Sequence, residues 1–169
     1  MALIGSKIAI LAICLFFSGI GCRSDDARPL DPVVPAISLD ELSTAPEVIE
    51  VARYRYVLQT YLWRDLMPIS PLDGHPLIAL IRVVERDLKT IPEGVKLNYL
   101  WVINRKEVWA TTFSDEPRPP TPSYMLERVG RGGPKWGPHI QVNVVVGLRM
   151  ESGKLRLLRA ADQWIHRTD

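Results

Sequence analysis

The sequence predicts an all-β domain: an antiparallel sandwich of immunoglobulin-like type with about six strands. Three observations predict it. From His139 to Met150, Ile140, Val142, Val144, Val146 and Leu148 fall on one side, and His139, Gln141, Asn143 and Arg149 on the other. That period of two belongs to a strand with one buried and one wet face. Leu97–Ile103 and Glu107–Phe113 are strand-like runs separated by Asn104-Arg105-Lys106, the pattern of a hairpin. The remaining apolar runs are also short, and Gly, Pro, Asn and Asp punctuate them. Trp101, on a central strand, suits the core of such a sandwich. The alternative is α+β, with one N-terminal helix packed on a curled antiparallel sheet.

Residues 1–21 form a leader. Lys7 precedes the apolar run Ile8–Phe17, and Ser18-Gly19-Ile20-Gly21 closes it. This charged, apolar, small-residue order is that of a secretory signal peptide. The run is shorter than the roughly 20 residues a membrane span needs, although an uncleaved signal anchor is the alternative. Residues 22–43 read as a tether, interrupted by Pro29, Pro32 and Pro35 and solvated by Asp25, Asp26, Asp31, Asp40 and Glu41. Extended, ~21 such residues reach roughly 65 Å. The alternative is that Pro32-Val33-Val34-Pro35 packs on the domain as an edge strand.

Residues 44–169 form the domain. Thr44-Ala45-Pro46-Glu47 reads as a capping box and predicts a helix over Ala45–Ala52. Tyr54, Tyr56, Leu58 and Leu62 then alternate with Arg53, Arg55 and Gln59, which predicts a strand. Its rival is a single helix over 45–65. Pro68–Pro76 is a turn region with Asp73-Gly74 at its tip, Leu77–Arg86 a strand, and Pro92-Glu93-Gly94 another turn. Ser114–Pro138 reads as a loop in which Tyr124–Val129 form a short strand or turn. After the 139–150 strand, Glu151-Ser152-Gly153 turns the chain and Lys154–Ala160 returns beside it. The tail Ala161–Asp169 extends that strand or lies on the surface.

The end of the leader, Ile20-Gly21-Cys22, resembles the lipobox of the bacterial lipoprotein class, with Gly19 standing where Leu is usual. The resemblance covers the leader only. It implies cleavage before Cys22, a diacylglycerol on the Cys22 thiol and an acylated amine, enough chains for stable anchoring. It also implies a position in the bacterial cell envelope. Arg23 stands where an inner-membrane retention signal of the class has Asp, which points to the outer membrane, facing the periplasm. Gly19 and Gly21 also suit ordinary signal peptidase, which would release a soluble protein. The chain has 2 Cys, and with Cys14 in the leader the mature chain keeps Cys22 alone, so no disulfide staples the domain.

Composition excludes some classes of function. Lys+Arg number 21 against 19 acids. Removing Lys7 leaves 20 − 19, a net charge of +1, so nucleic acid is not an expected partner. His75, His139 and His166 have no zinc spacing, and no metal or other cofactor is expected. The adjacent acids Asp25-Asp26, Asp40-Glu41 and Asp115-Glu116 read as solvated loop charge. Gly130-Arg131-Gly132-Gly133-Pro134-Lys135 lacks the Gly-Lys-Ser/Thr ending of a phosphate loop, and Pro134 removes a backbone donor. No catalytic residue is identified. Trp63, Trp101 and Trp109 lie in strand runs and read as core, whereas Trp136 and Trp164 are the better binding candidates. Arg128, Arg131, Lys135 and Trp136 are the candidate binding residues, a mix of cations and an aromatic suited to acidic or sugar-like partners. The reading is a lipid-anchored envelope protein acting as a non-enzymatic binding or structural module, with an envelope protein or glycan as partner. The alternatives are an envelope enzyme with dispersed catalytic residues and a soluble secreted binding protein.

Overall fold

The computed structural model describes residues 33–117 and 119–168. The leader, Cys22 and the first part of the expected tether lie outside them. The described residues form one short helix, α1 (Leu39–Ser43), and eight strands. These are β1 (Val48–Val51), β2 (Tyr54–Asp65), β3 (Leu77–Glu85), β4 (Lys96–Asn104), β5 (Glu107–Thr112), β6 (Met125–Gly133), β7 (Gln141–Arg149) and β8 (Leu155–Thr168). The sheet order is β5-β4-β7-β8-β2-β3-β6, with β1 paired to β2 off this path. The β2–β8 pair is parallel and the other pairs are antiparallel.

The domain is therefore all-β, a single curled sheet rather than two separate ones. One half holds β1, β2, β3 and β6, and the other holds β4, β5 and β7. Strand β8 belongs to both. Its first part pairs with β7, and Ile165–Thr168 run beside Leu62–Asp65 of β2. At the crossing, Asp162 takes a left-handed φ of 54° where the β7–β8 register shifts. Its N–H donates to Asn143 Oδ1 at 3.1 Å. A bulge of this kind bends a strand and lets it pass from one half-sheet to the other.

The main core lies between the halves and includes Tyr56, Leu62, Ile81, Leu100, Val102, Val144, Val146 and Leu158. Curling brings the edge strands β5 and β6 together. A Cβ at Gly130 would stand 2.5 Å from Leu100 Cδ2, and one at Gly133 2.8 Å from the Trp109 ring, so both positions need glycine for close approach. Ser114 N–H and Oγ both donate to the Val129 carbonyl, at 2.9 and 3.1 Å.

A second, smaller core lies on the outer face of β4 and β7. Tyr99, Trp101, Ile103 and Val145 are covered there by Val34, Ile37, Leu42 and Ala45. Trp101 is buried as the sequence predicts, under the N-terminal segment rather than between the half-sheets. The single wet face expected of the 139–150 strand is corrected by the same observation. Val145 and Gly147 are buried on its second face, and only its ends, Gln141 and Arg149, are exposed there.

The N-terminal elements differ from the sequence reading. The helix expected over Ala45–Ala52 is strand β1, paired with β2 from Val48↔Val57 to Val51↔Tyr54. The observed helix lies earlier. Ser38 caps it, its Oγ accepting from Glu41 N–H at 3.2 Å, and Thr44 closes it as C-cap. Pairing of the β-branched Val48, Ile49 and Val51 outweighs the local capping signal of Thr44–Glu47. The strand expected over 53–63 is β2, which begins at Tyr54, and the tail extends β8. The 114–138 stretch holds β6, longer than the short strand anticipated within it.

Candidate functional site

The sequence-predicted binding residues fall into two groups along β6 and the loop after it. Arg128 is exposed beside a groove lined by Ser114–Pro117, Pro119, Pro120, Thr121 and Glu127. Arg131 faces Glu116 of the same groove, donating Nε to Oε1 and Nη2 to Oε2, the latter at 3.0 Å. Lys135 Nζ lies 2.5 Å from Asp73 Oδ2. Trp136 packs on the main core, and its Nε1 donates to Glu107 Oε2 at 2.7 Å. Arg131, Lys135 and Trp136 thus make bonds within the protein. Cys22, the expected lipidation site, lies outside the described residues.

Lys135 and Trp136 meet a feature the sequence did not single out. Arg64, at the end of β2, is 5% exposed. Its guanidinium donates to the carbonyls of His75 (3.1 Å), Lys135 (2.9 Å), Trp136 (3.4 Å) and Asp73. A planar fork of donors suits several fixed oxygens at once. Arg64 thereby ties the 66–76 loop to the 134–136 segment. Gly74 leaves the necessary room, since a Cβ there would stand 2.8 Å from the Asp65 carbonyl.

The other buried charge is Glu85, which is 0% exposed. Its carboxylate accepts backbone N–H groups from Arg55 (3.0 Å), Asp87 (2.9 Å) and Lys89 (2.8 Å). Burial alone would raise its pKa, but these donors and the Lys89 charge outweigh burial and hold it below the usual carboxylate value. The neighbouring Asp87 is held at about 2 by hydrogen bonds from Arg55 and Lys89. Both acids organise the turn after β3.

The outer face of the β2–β3–β8 half is where surface chemistry gathers. Trp63 and His166 are register partners across β2 and β8, and Trp63 faces Ile78 across β2 and β3. Two residues earlier on each strand stand Tyr61 and Trp164, with Tyr61 paired to Leu80. The Tyr61 ring stacks on His166 at 4.9 Å and lies 5.4 Å from Trp63. Beyond Tyr61, Gln59 pairs with Arg82, whose Nε donates to Glu127 Oε2 at 2.6 Å. Gln59, Tyr61, Leu80 and Arg82 line one groove of this face, and His139, Trp164 and His166 line another. Tyr61 is 44% exposed and Trp164 50%. The outer face of β4 and β7 is covered by residues 34–45, while this aromatic face stays open. Trp63, read from the sequence as core, is instead half-buried on this outer face beside Tyr61, and only the parallel pairing with β8 brings Trp164 and His166 to it.

His139 and the Asp115-Glu116 pair, the groups an enzymatic reading would bring together, line different grooves. Among the described residues no group of three His, Cys, Asp or Glu could hold a metal ion. No helix of the described residues is long and apolar enough to cross a membrane. No protein-family model, no curated protein and no solved structure matches the chain.

Proposed function

We propose that the chain is a lipid-anchored binding module of the bacterial cell envelope, non-enzymatic and held by acyl chains on Cys22 at the outer membrane. Its recognition surface is the open face of β2, β3 and β8, and its partner is an envelope protein or glycan. The observation that carries the recognition surface is the difference between the two outer faces. The chain covers one with its own residues 34–45 and leaves Tyr61, Trp164 and His166 in water on the other. Exposed aromatics beside hydrogen-bonding groups such as Gln59 and Arg82 supply both apolar contact and orientation, the mix that binding surfaces use. The anchor rests on the Ile20-Gly21-Cys22 resemblance.

Site-specific photocrosslinking in the native host tests the surface. A benzophenone side chain at position 164 or 59 should give a discrete adduct whose mass separates protein from glycan. The same group at the exposed Ala110 of β5 should give none. Equal yields from 164 and 110, or none from 164 and 59, sink the reading. The anchor is tested separately. Wild-type protein should partition with membranes, and Cys22→Ser should prevent lipid addition. Wild-type protein found wholly in the soluble fraction refutes the anchor.

A further inference from the structure

The loop between β2 and β3 turns three apolar side chains into water: Met67, Ile69 and Leu72 are 41%, 92% and 109% exposed. This loop is held on many bonds. Ser70 N–H donates to the Met67 carbonyl at 2.8 Å, and Gly74 N–H to the Pro71 carbonyl at 2.7 Å. Asp65 Oδ1 accepts from Met67 N–H and Ser70 Oγ, and Arg64 holds the Asp73 and His75 carbonyls from beneath. Pro68 and Pro71 stiffen the tip. Exposed apolar residues scattered singly need no explanation. Three on one pinned loop form a prepared apolar tip.

The surroundings say what the tip meets. Strand registers place the ends of β2, β4 and β8 and the starts of β3 and β7 at one end of the sheet. That end therefore carries the loop and the exposed turn residues Arg105 and Lys106. Apolar side chains beside cations match the boundary between lipid headgroups and acyl chains. The chain outside the structure adds a second argument. Because the 34–45 segment packs on the domain, the link from Cys22 to Val33 spans only residues 23–32. Ten such residues reach at most about 35 Å, and a domain of this size is itself about 35–40 Å across. A link that short keeps the domain at an effective concentration on the order of millimolar at the bilayer, where a weak contact suffices.

We infer that the 66–76 loop docks on the bilayer that holds the Cys22 acyl chains. Ile69 and Leu72 enter the headgroup–acyl boundary, and Arg105 and Lys106 meet anionic headgroups. This rests on the anchor part of the proposed function and not on the aromatic face.

The test uses the anchored protein, purified with its acyl chains and reconstituted into vesicles of phosphatidylethanolamine and phosphatidylglycerol containing brominated lipid. Its intact mass reads acylation first. Should Cys22 prove unmodified, the anchor reading fails by itself. The domain is then held on the same vesicles through an N-terminal histidine tag and a nickel-chelating lipid. In either form, a fluorophore at Ile69→Cys should shift to the blue and lose at least half its emission to the brominated lipid. One at Glu93→Cys, exposed at the opposite end, should do neither. Adding Leu72→Asp should reduce the quenching at position 69 at least threefold without moving the melting temperature. A label at 69 that stays water-exposed overturns the inference, as does equal quenching at 69 and 93 or quenching indifferent to Leu72→Asp.

Discussion

Arg64 and Glu85 are buried charges whose bonds run mainly to the backbone, Arg64 to four carbonyls and Glu85 to three N–H groups. Removing either leaves backbone groups unpaired. Arg64→Met should lower stability by about 3 kcal/mol, since hydrogen bonds to charged groups are the stronger kind and the freed carbonyls lie in a buried site. Limited proteolysis should then cut within 66–76 faster than in the wild type, and an unchanged cleavage rate would refute the clamp. Glu85 and Asp87 set an acid limb. Both have folded pKa values below their ordinary 4.5 and 3.8. Their stabilisation is therefore complete above those values and is lost as pH falls through the folded ones, down to about 2 for Asp87. Urea midpoints should be flat with respect to these groups between about pH 7 and pH 5 and decline below about pH 4.5. Glu85→Gln, which cannot present two acceptor oxygens to three donors, should lower the midpoint at neutral pH and shallow the acid decline. A decline identical to wild type would remove Glu85 from it.

At the scale of the element, β7 is the strand with the most at stake. Val144→Asp should unfold the domain, since an unpaired buried carboxylate costs several kcal/mol. Val145→Asp should do the same despite pointing the opposite way, because Val145 is covered by the N-terminal segment. Asn143→Asp keeps an oxygen for the Asp162 N–H and should cost less than about 1 kcal/mol. Thermal melts of the three compare directly, and a stable Val145→Asp would mean that the second core contributes little. The sequence made β7 legible through alternation and the β4–β5 hairpin through its break at 104–106. It left β6 half hidden because Gly130, Gly132 and Gly133 read as loop, although Gly130 and Gly133 serve contact with Leu100 and Trp109. It misplaced the helix because capping signals are local, whereas β1 is decided by a partner strand. The aromatic site was legible only in part. Trp164 stood out as a tail aromatic, but nothing local shows that the tail pairs in parallel with β2.

For the whole molecule, the two outer faces differ: one is covered at β4 and β7 by the chain itself, the other leaves Tyr61, Trp164 and His166 exposed. Packing of Val34, Ile37 and Leu42 shortens the free tether that the sequence alone predicts. Trp164→Ala should leave the melting temperature within about 2 °C, as expected of a surface change. The crosslinked adduct at position 59 should fall at least tenfold. A large drop in melting temperature would show Trp164 to be structural instead.

The double membership of β8 carries a consequence in time. Its last turns of sequence pair with a strand made long before, and Thr60 reaches Gln163 across 103 residues. Contacts this distant form late, because the loop must close before they return anything. A chain made from its N-terminus exposes β2, β4 and β7, with their apolar faces, before the strand that joins the half-sheets has emerged. The order of emergence thus runs against the order of closure. Until Ile165 arrives beside Leu62, the seam stays open, and the growing chain depends on escorts or speed to stay out of aggregates.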